Sequence, residues 1–393
     1  MHVPESVTTA PVSAGLEGVI AAETRLSEVD GAHGKLTIAG FPVDVLAARA
    51  GFEEVAYLLL YGVLPTRAQL DAFSATLVHH RTLPAPTLAL LTAAADRRVA
   101  PMDALRMAAG TFDLDLAGAD DDELAAALLA RMPVAVAAYA RLLQGESPVP
   151  PDPTLGHAAN FLYMLQAEPP APVAARALET YLNTVVDHGL NASTFAARVI
   201  IATRSDLVSA VTGALGALKG PLHGGAPGPA LDMVFEIGDA AQAEPFLRAK
   251  LDRGERLMGF GHRVYKVRDP RADVLSRAAQ ELFAAAGAQD ANRQLYALTR
   301  AVEESAVTLL AEYKPGRNLQ TNVEFYTALL LHGLGLPTDL FTPTFAVGRT
   351  AGWLAHCREQ QATGRLIRPS SRYVGAFDTP WVEVDAREAQ QTR

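Results

Sequence analysis

Along most of this chain, apolar residues recur every three or four positions, the spacing that lines one face of an α-helix. "FEEVAYLLLYG", which begins at Phe52, opens with two carboxylates, where the helix dipole favours negative charge, and closes on a glycine. "LPTRAQLDAFSATLVHH" starts a second helix, with Thr66 as its cap. Alanine-rich helices are expected over 87–110, 120–144 and 171–203. More highly charged ones follow over 229–238, 240–253, 270–287 and 293–312, and apolar helices return over 324–334 and 341–361. "GESPVPPDPT" and "AEPPAP" interrupt the helical runs as loops. Only Leu16 to Ile38 reads differently: "GVIAAET" and "GKLTIAG", punctuated by "DGAHG", predict a small hairpin. There is no internal repeat of solenoid length and no βαβ alternation of a dinucleotide fold. The pattern predicts a mainly α protein with glycine-rich loops between its helices.

Composition narrows the class. The 393 residues are 49% hydrophobic and 20% charged, enough for a substantial core. A net charge of −9 argues against nucleic acid as a partner, while leaving room for a local basic pocket. Cys357 is the single cysteine, so neither a disulfide framework nor a cysteine-based zinc site can be built within one chain, which fits a cytoplasmic setting. The first 14 residues read as a mobile tail without signal-peptide character, and no apolar run suggests a membrane span.

Three histidines sit in glycine- or amide-rich settings: His188 in "VVDHGLNAST", His223 in "GPLHGGAPGP" and His262 in "MGFGHRVYK". Each could be structural, but three such loops in one chain favour ligand contact. "GPLHGGAPGP" lacks the Lys-Ser/Thr ending of a phosphate loop, and no zinc-hydrolase histidine pair is present, so no metal site is expected. Glu324 is flanked by Val323 and Phe325 at the start of an apolar helix, where burial could raise its pKa and make it a general base. Arg349 stands inside the apolar "FAVGRTAGWLAH" and needs either an internal ion pair or an anionic ligand. Arg263, Arg268, Arg271 and Arg368 are further candidates for anion binding.

Taken in order, "GLEGVIAAETRLSEVDG", "FEEVAYLLLYGVLP", "DHGLNASTFAARV", "LKGPLHGGAPGPALDM", "MGFGHRVYKVRDPRADVL", "TNVEFYTALLLHGLGLP" and "FAVGRTAGWLAH" resemble the segments of the citrate synthase family, in its shorter form. The resemblance runs from about Gly15 to about Tyr373. It implies a two-domain helical fold: a large domain of residues 1–225 plus 335–393, a small one of 226–334, and hinges at "LHGGAPGP" and at Gly333 and Gly335.

It also implies roles. His223 would polarise an acyl-CoA carbonyl, Glu324 would remove the α-proton, and His262 would face the ketone of oxaloacetate. His188, Asn191, Arg271, Arg349 and Arg368 would hold oxaloacetate and citrate, with Arg368 supplied by the other subunit of a homodimer. Leu257, Met258, Gly259, Phe260 and Gly261 would cradle the CoA nucleotide, and Lys266 would approach a CoA phosphate. Arg263 and Arg268 keep a surface reading.

The implied reaction belongs to the tricarboxylic acid cycle: acetyl-CoA, oxaloacetate and water give citrate and CoA, with no cofactor beyond the substrates. The alternatives are 2-methylcitrate synthesis from propionyl-CoA, or a weakly active or non-catalytic binding relative. Two departures from the family stand out. Its usual base is aspartate, whereas Glu324 is one methylene longer, and a shift of about 1 Å can cost roughly 100-fold in rate. "IRPSSRYVG" replaces a common Arg-Pro-Arg, so that a second cation is lost or moved to Arg372.

Overall fold

The computed structural model describes residues 12–224, 227–285 and 291–387. Two compact units share the described chain: one made of residues up to Glu23 together with those from Ile367 onward, the other of Thr24–Leu366. The tail expected over 1–14 lies largely outside the described residues, as do Gly225 and Ala226 of the expected hinge.

The hairpin forms, but later than expected. β1 (Ser27–Asp30) pairs antiparallel with β2 (Lys35–Ile38), and β2 pairs with the short β3 (Phe41–Pro42). The turn is the predicted "DGAHG": Asp30 Oδ1 accepts from the amides of Ala32 and His33, and Gly34 adopts φ +63. "GVIAAET" is not a strand; it is mostly exposed, and all of it but Thr24 belongs to the chain-end unit.

Sixteen α-helices make up the rest of the described regular structure, apart from short 3₁₀ turns: α1 (Val43–Arg49), α2 (Phe52–Tyr61), α3 (Arg67–His79), α4 (Ala85–Asp96), α5 (Pro101–Ala109), α6 (Asp121–Leu143), α7 (His157–Gln166), α8 (Pro172–Val185), α9 (Ala192–Ile201), α10 (Leu207–Leu218), α11 (Pro227–Ile237), α12 (Ala243–Asp252), α13 (Pro270–Ala285), α14 (Ala291–Tyr313), α15 (Val323–Gly333) and α16 (Phe341–Thr363). Thr66 caps α3 in a capping box with Gln69, as its sequence predicts. Two expected long helices are each split. Arg98 at φ +49 and Pro101 divide 87–110, and Gly189 at φ +59 with Asn191 as N-cap divides 171–203. The second break is functional, because it turns His188 out of the helical run.

α6 is the core helix. By length and composition it could cross a membrane, yet its apolar window is 83% buried inside the protein. α4, α5, α7 and α16 pack around it. Its buried Arg131 is neutralised by a two-pronged bond to Asp115 at 2.7 Å. α16 lies against α8 through Gly348 and Gly352. A Cβ at Gly348 would sit 2.9 Å from Val185 Cγ2, and one at Gly352 would collide with the Val186 carbonyl oxygen. Glycine at these two positions lets the helix backbones approach closely and brings Arg349 against α8.

Candidate active site

Four separate stretches meet around Arg271 and Arg349. The α8–α9 junction supplies His188, the end of α10 leads to His223, the loop before α13 carries His262, and α15 begins with Glu324.

His223 is fixed through Ser193. The Ser193 amide, which can only donate, reaches His223 Nε2 at 3.4 Å, and the Ser193 hydroxyl lies 2.8 Å from the same atom. Trp353 Nε1 donates to that hydroxyl at 3.1 Å, and Asn191 Oδ1 accepts from it at 2.9 Å. Burial, aided by the Arg349 charge, lowers the His223 pKa to about 4, so the ring is neutral and offers one N–H.

His262 is fixed by backbone. The amides of Val264 and Tyr265 donate to Nδ1 at 3.0 and 3.1 Å, so the proton belongs on Nε2. Arg271 Nη2 lies 3.5 Å from that nitrogen. Two donors cannot bond each other, and an oxygen placed between them would satisfy both. Burial, then Arg271, lowers the His262 pKa to about 4, so this ring too is neutral at pH 7. His188 Nε2 is 3.1 Å from the Tyr265 hydroxyl, and its ring meets that of His262 edge-on at 5.7 Å. Burial, then Arg271, holds His188 well below its ordinary pKa.

The two central arginines differ. Arg271 is clamped by Asp269, with Nε to Oδ1 at 3.0 Å and Nη2 to Oδ2 at 2.8 Å. Asp269 also accepts from the Val323 amide at 3.2 Å, so one carboxylate braces both the arginine and the start of α15. Arg349 donates from Nε to the Val185 carbonyl at 2.6 Å and lies 4.7 Å over the Phe345 ring. Among the described residues it has no carboxylate within ion-pair distance. Burial lowers its pKa to about 10 although Asp187 opposes the shift. Of the two readings open for Arg349, the internal ion pair is thus not formed, and a buried cation faces the site.

Glu324 follows the N-cap Asn322, whose Oδ1 accepts from the Glu324 amide at 3.0 Å. Its carboxylate has no hydrogen bond or ion pair among the described residues. Burial raises its pKa to about 7 against the pull of Arg271. A carboxyl held there is ionised often enough at neutral pH to act as a base.

The loop 257–262 is tied to the segment before α15. Gly261 N–H donates to the Gln320 carbonyl at 2.7 Å, Asn322 N–H to Gly259 O at 2.9 Å, and Asn322 Nδ2 to Gly261 O at 2.8 Å. Phe260 bridges Thr321 and packs on Phe325. A Cβ on Gly259 would stand 2.8 Å from Phe325 Cδ2. Leu257 is buried, Met258 and Phe260 are half-buried, and Lys266 is exposed with Nζ donating to the Arg263 carbonyl at 3.2 Å. Arg268 is half-buried and engaged by Asp273 and Glu303 at 2.5 and 2.6 Å, an internal ion-pair cluster more than a solvated surface cation. Arg368 is exposed in the chain-end unit.

Several supporting residues carry no local signal in the sequence. Asp187 accepts from Ser27 Oγ at 2.5 Å and from His356 Nε2 at 3.2 Å, and Ser27 Oγ accepts from the Gly189 amide at 2.8 Å. β1 and α16 thereby hold the loop of His188. Ser193, Asp269 and Tyr265 act likewise, each through a contact that only the fold creates. A cavity of about 530 Å³ lined by Tyr57, Tyr61, Phe73 and Asp122 lies elsewhere and contains none of these groups. Among the described residues no cluster of three or more His, Cys, Asp or Glu could hold a metal ion.

A scan against known families matches residues 15–370 to "Citrate synthase, C-terminal domain". The citrate synthase of Haloferax volcanii is 44% identical over 383 residues, covering 95% of this chain and 98% of that protein. The 2-methylcitrate synthase of Mycobacterium tuberculosis is 40% identical over 370 residues, covering 93% and 91%. The crystal structure of citrate synthase from Pyrobaculum aerophilum superposes with a TM-score of 0.87 at 36% identity, covering 98% of this chain and 97% of that one. That of the Thermoplasma acidophilum citrate synthase, a ternary complex with carboxymethyl coenzyme A and oxaloacetate, gives 0.86 at 30% identity, covering 96% and 100%. Motif order, full-length identity and fold agree, and the chain belongs to the citrate synthase family of condensing acyltransferases.

Proposed function

We propose that this protein condenses acetyl-CoA with oxaloacetate and water to give citrate and CoA. The observation that carries the reading is the Glu324 carboxylate: half-buried, without a partner, with a pKa of about 7, in the field of Arg271 and Arg349.

Glu324 takes a proton from the α-carbon of the thioester, and His223 meets the enolate oxygen with its ring N–H. A neutral donor suits this step, since it stabilises the oxyanion without a permanent charge in the site. The enolate carbon attacks the ketone of oxaloacetate and forms the new C–C bond. His262 Nε2 gives its proton to the alkoxide, while Arg271 and Arg349, with His188 beside them, hold the carboxylates. Water then cleaves the citryl thioester and releases CoA. Gly259, Gly261 and Lys266 remain our candidates for the CoA side, where the exposed Lys266 would exchange its bond to the Arg263 carbonyl for a phosphate. The reaction needs no cofactor beyond its substrates.

In this reading, residues 226–334 move as the small domain and close the site. The stretch carries Arg271 and Glu324, while His188 and Arg349 lie outside it. The exposed chain-end unit, with Ile20 at 89%, Val374 at 90% and Trp381 at 79% exposure, supports a homodimer in which those side chains are covered and Arg368 serves the partner's site.

The test is release of free thiol from purified protein. Thiol is expected only when acetyl-CoA and oxaloacetate are both present; binding of both without thiol release would sink the catalytic reading. The 40% identity to a 2-methylcitrate synthase favours one second reading, propionyl-CoA as the donor. One methylene in a pocket is worth about 1–3 kcal/mol, so kcat/KM for the two thioesters separates them. Acetyl-CoA is expected to be preferred.

A further inference from the structure

Tyr181 takes no part in the reaction as drawn, and its position asks for a role. It lies on α8, fully buried, and its hydroxyl has no hydrogen-bond partner. Buried hydroxyls are rarely left in this state, because desolvation is then uncompensated. α8 packs against α13, α15 and α16, the helices that carry Arg271, Glu324 and Arg349. One turn beyond Tyr181, on the same helical face, the Val185 carbonyl holds Arg349 Nε. The tyrosine thus stands in the wall of the site, not in a remote part of the core.

The charges around it identify its partner. Arg271 and Arg349 can only donate, and Asp269 is already saturated by Arg271 and the Val323 amide. Asp187 is held by Ser27 and His356, which leaves Glu324 as the carboxylate of the site with no side-chain partner among the described residues. Burial pushes the Tyr181 pKa well above its ordinary value, the Glu324 charge adds to that push, and Arg349 and Arg271 oppose it. The phenol therefore keeps its proton across the working pH range and is a donor without a partner, as Glu324 is an acceptor without one.

We propose that Tyr181 is a positioning residue whose hydroxyl donates to the Glu324 carboxylate when substrates fill the site, aligning the longer side chain for proton abstraction. The inference rests on Glu324 being the base. A donor to the ionised carboxylate favours that form, so losing it raises the pKa of the base.

The experiment is a double-mutant cycle of Tyr181→Phe and Glu324→Asp, read as pH profiles of kcat with KM for both substrates. Tyr181→Phe is expected to move the acid limb of kcat up by about half a pH unit or more and to lower kcat at pH 7 by about fivefold or more. KM for oxaloacetate should stay within about twofold, because Arg271 and His262 are untouched. In the Glu324→Asp background the same change should alter kcat by less than about twofold. The thermal midpoint should not fall, since the hydroxyl bonds nothing in the ligand-free protein. An unchanged pH profile with unchanged kcat overturns the proposal, and so does an equal effect in both backgrounds. If Tyr181→Phe does not fold, 3-fluorotyrosine at 181 keeps the shape and strengthens the donor; the acid limb must then move down, and a fixed limb overturns the proposal. Glu324→Gln with full kcat would remove the base assignment itself, whereas a silent Tyr181→Phe beside an inactive Glu324→Gln removes only this inference.

Discussion

A carboxyl group held at about 7 by burial is half-ionised near neutrality, and that fixes the pH behaviour of Glu324. Because the base must be ionised, kcat/KM is expected to fall below about pH 7 along a single-proton limb. A profile flat from pH 5 to 8 would contradict this. Stability follows the opposite sign. The unfolded chain releases this proton near 4.5, the ordinary value for a glutamate, while the folded chain holds it to about 7. Between those values the folded state binds more protons, so the group's contribution declines as pH rises through the window. Glu324→Gln removes the ionisation and should raise the thermal midpoint more at pH 8 than at pH 5. At this scale the sequence was readable where a residue conflicts with its neighbours: a glutamate between Val323 and Phe325, an arginine in "FAVGRTAGW", histidines among glycines. It was silent on Ser193, Asp269 and Asp187. A serine beside an asparagine is ordinary until folding sets it against His223, and an aspartate gains meaning only when Arg271 and the Val323 amide converge on it.

Helix α16 depends on two glycines to bring Arg349 to α8. Gly352→Ala would drive a methyl group into the Val186 carbonyl and to 3.0 Å from Asp187 Oδ1, next to His188. Overpacking of this kind costs about 1–3 kcal/mol. We expect a lower thermal midpoint, together with a KM for oxaloacetate raised more than that for acetyl-CoA, because Arg349 and His188 both border the strained contact. Equal changes in both KM values would show that the strain stays local. Most helices could be read from periodicity and caps, as Thr66 and the paired acids after Phe52 illustrate. Boundaries failed where one residue's backbone decides: Arg98 in the left-handed region ends α4, and Gly189 with Asn191 separates α8 from α9. "GVIAAET" has strand composition but finds no strand to pair with, since the register starting at Ser27 is fixed by the Asp30 turn.

For the whole molecule, the proposed subunit exchange of Arg368 makes a strong demand. Glu324→Ala and Arg368→Ala homodimers should each be inactive. Mixed dimers would contain one site carrying both changes and one carrying neither, so statistical mixing should restore roughly a quarter of wild-type activity, as twofold symmetry requires. No recovery after unfolding and refolding the mixture would place Arg368 in its own subunit's site or outside catalysis. Family and fold were legible at this scale because seven separated motifs occur in one order, a pattern that no single loop could supply. The tie between Gly259–Gly261 and Gln320–Asn322 has one further consequence. The loop bearing His262 and the segment entering Glu324 are stitched residue against residue, so neither can lengthen alone without slipping the other out of step. Over evolutionary time, insertions and deletions in these two stretches are admissible only as matched pairs, and the distance between acid and base is preserved as a matter of loop arithmetic.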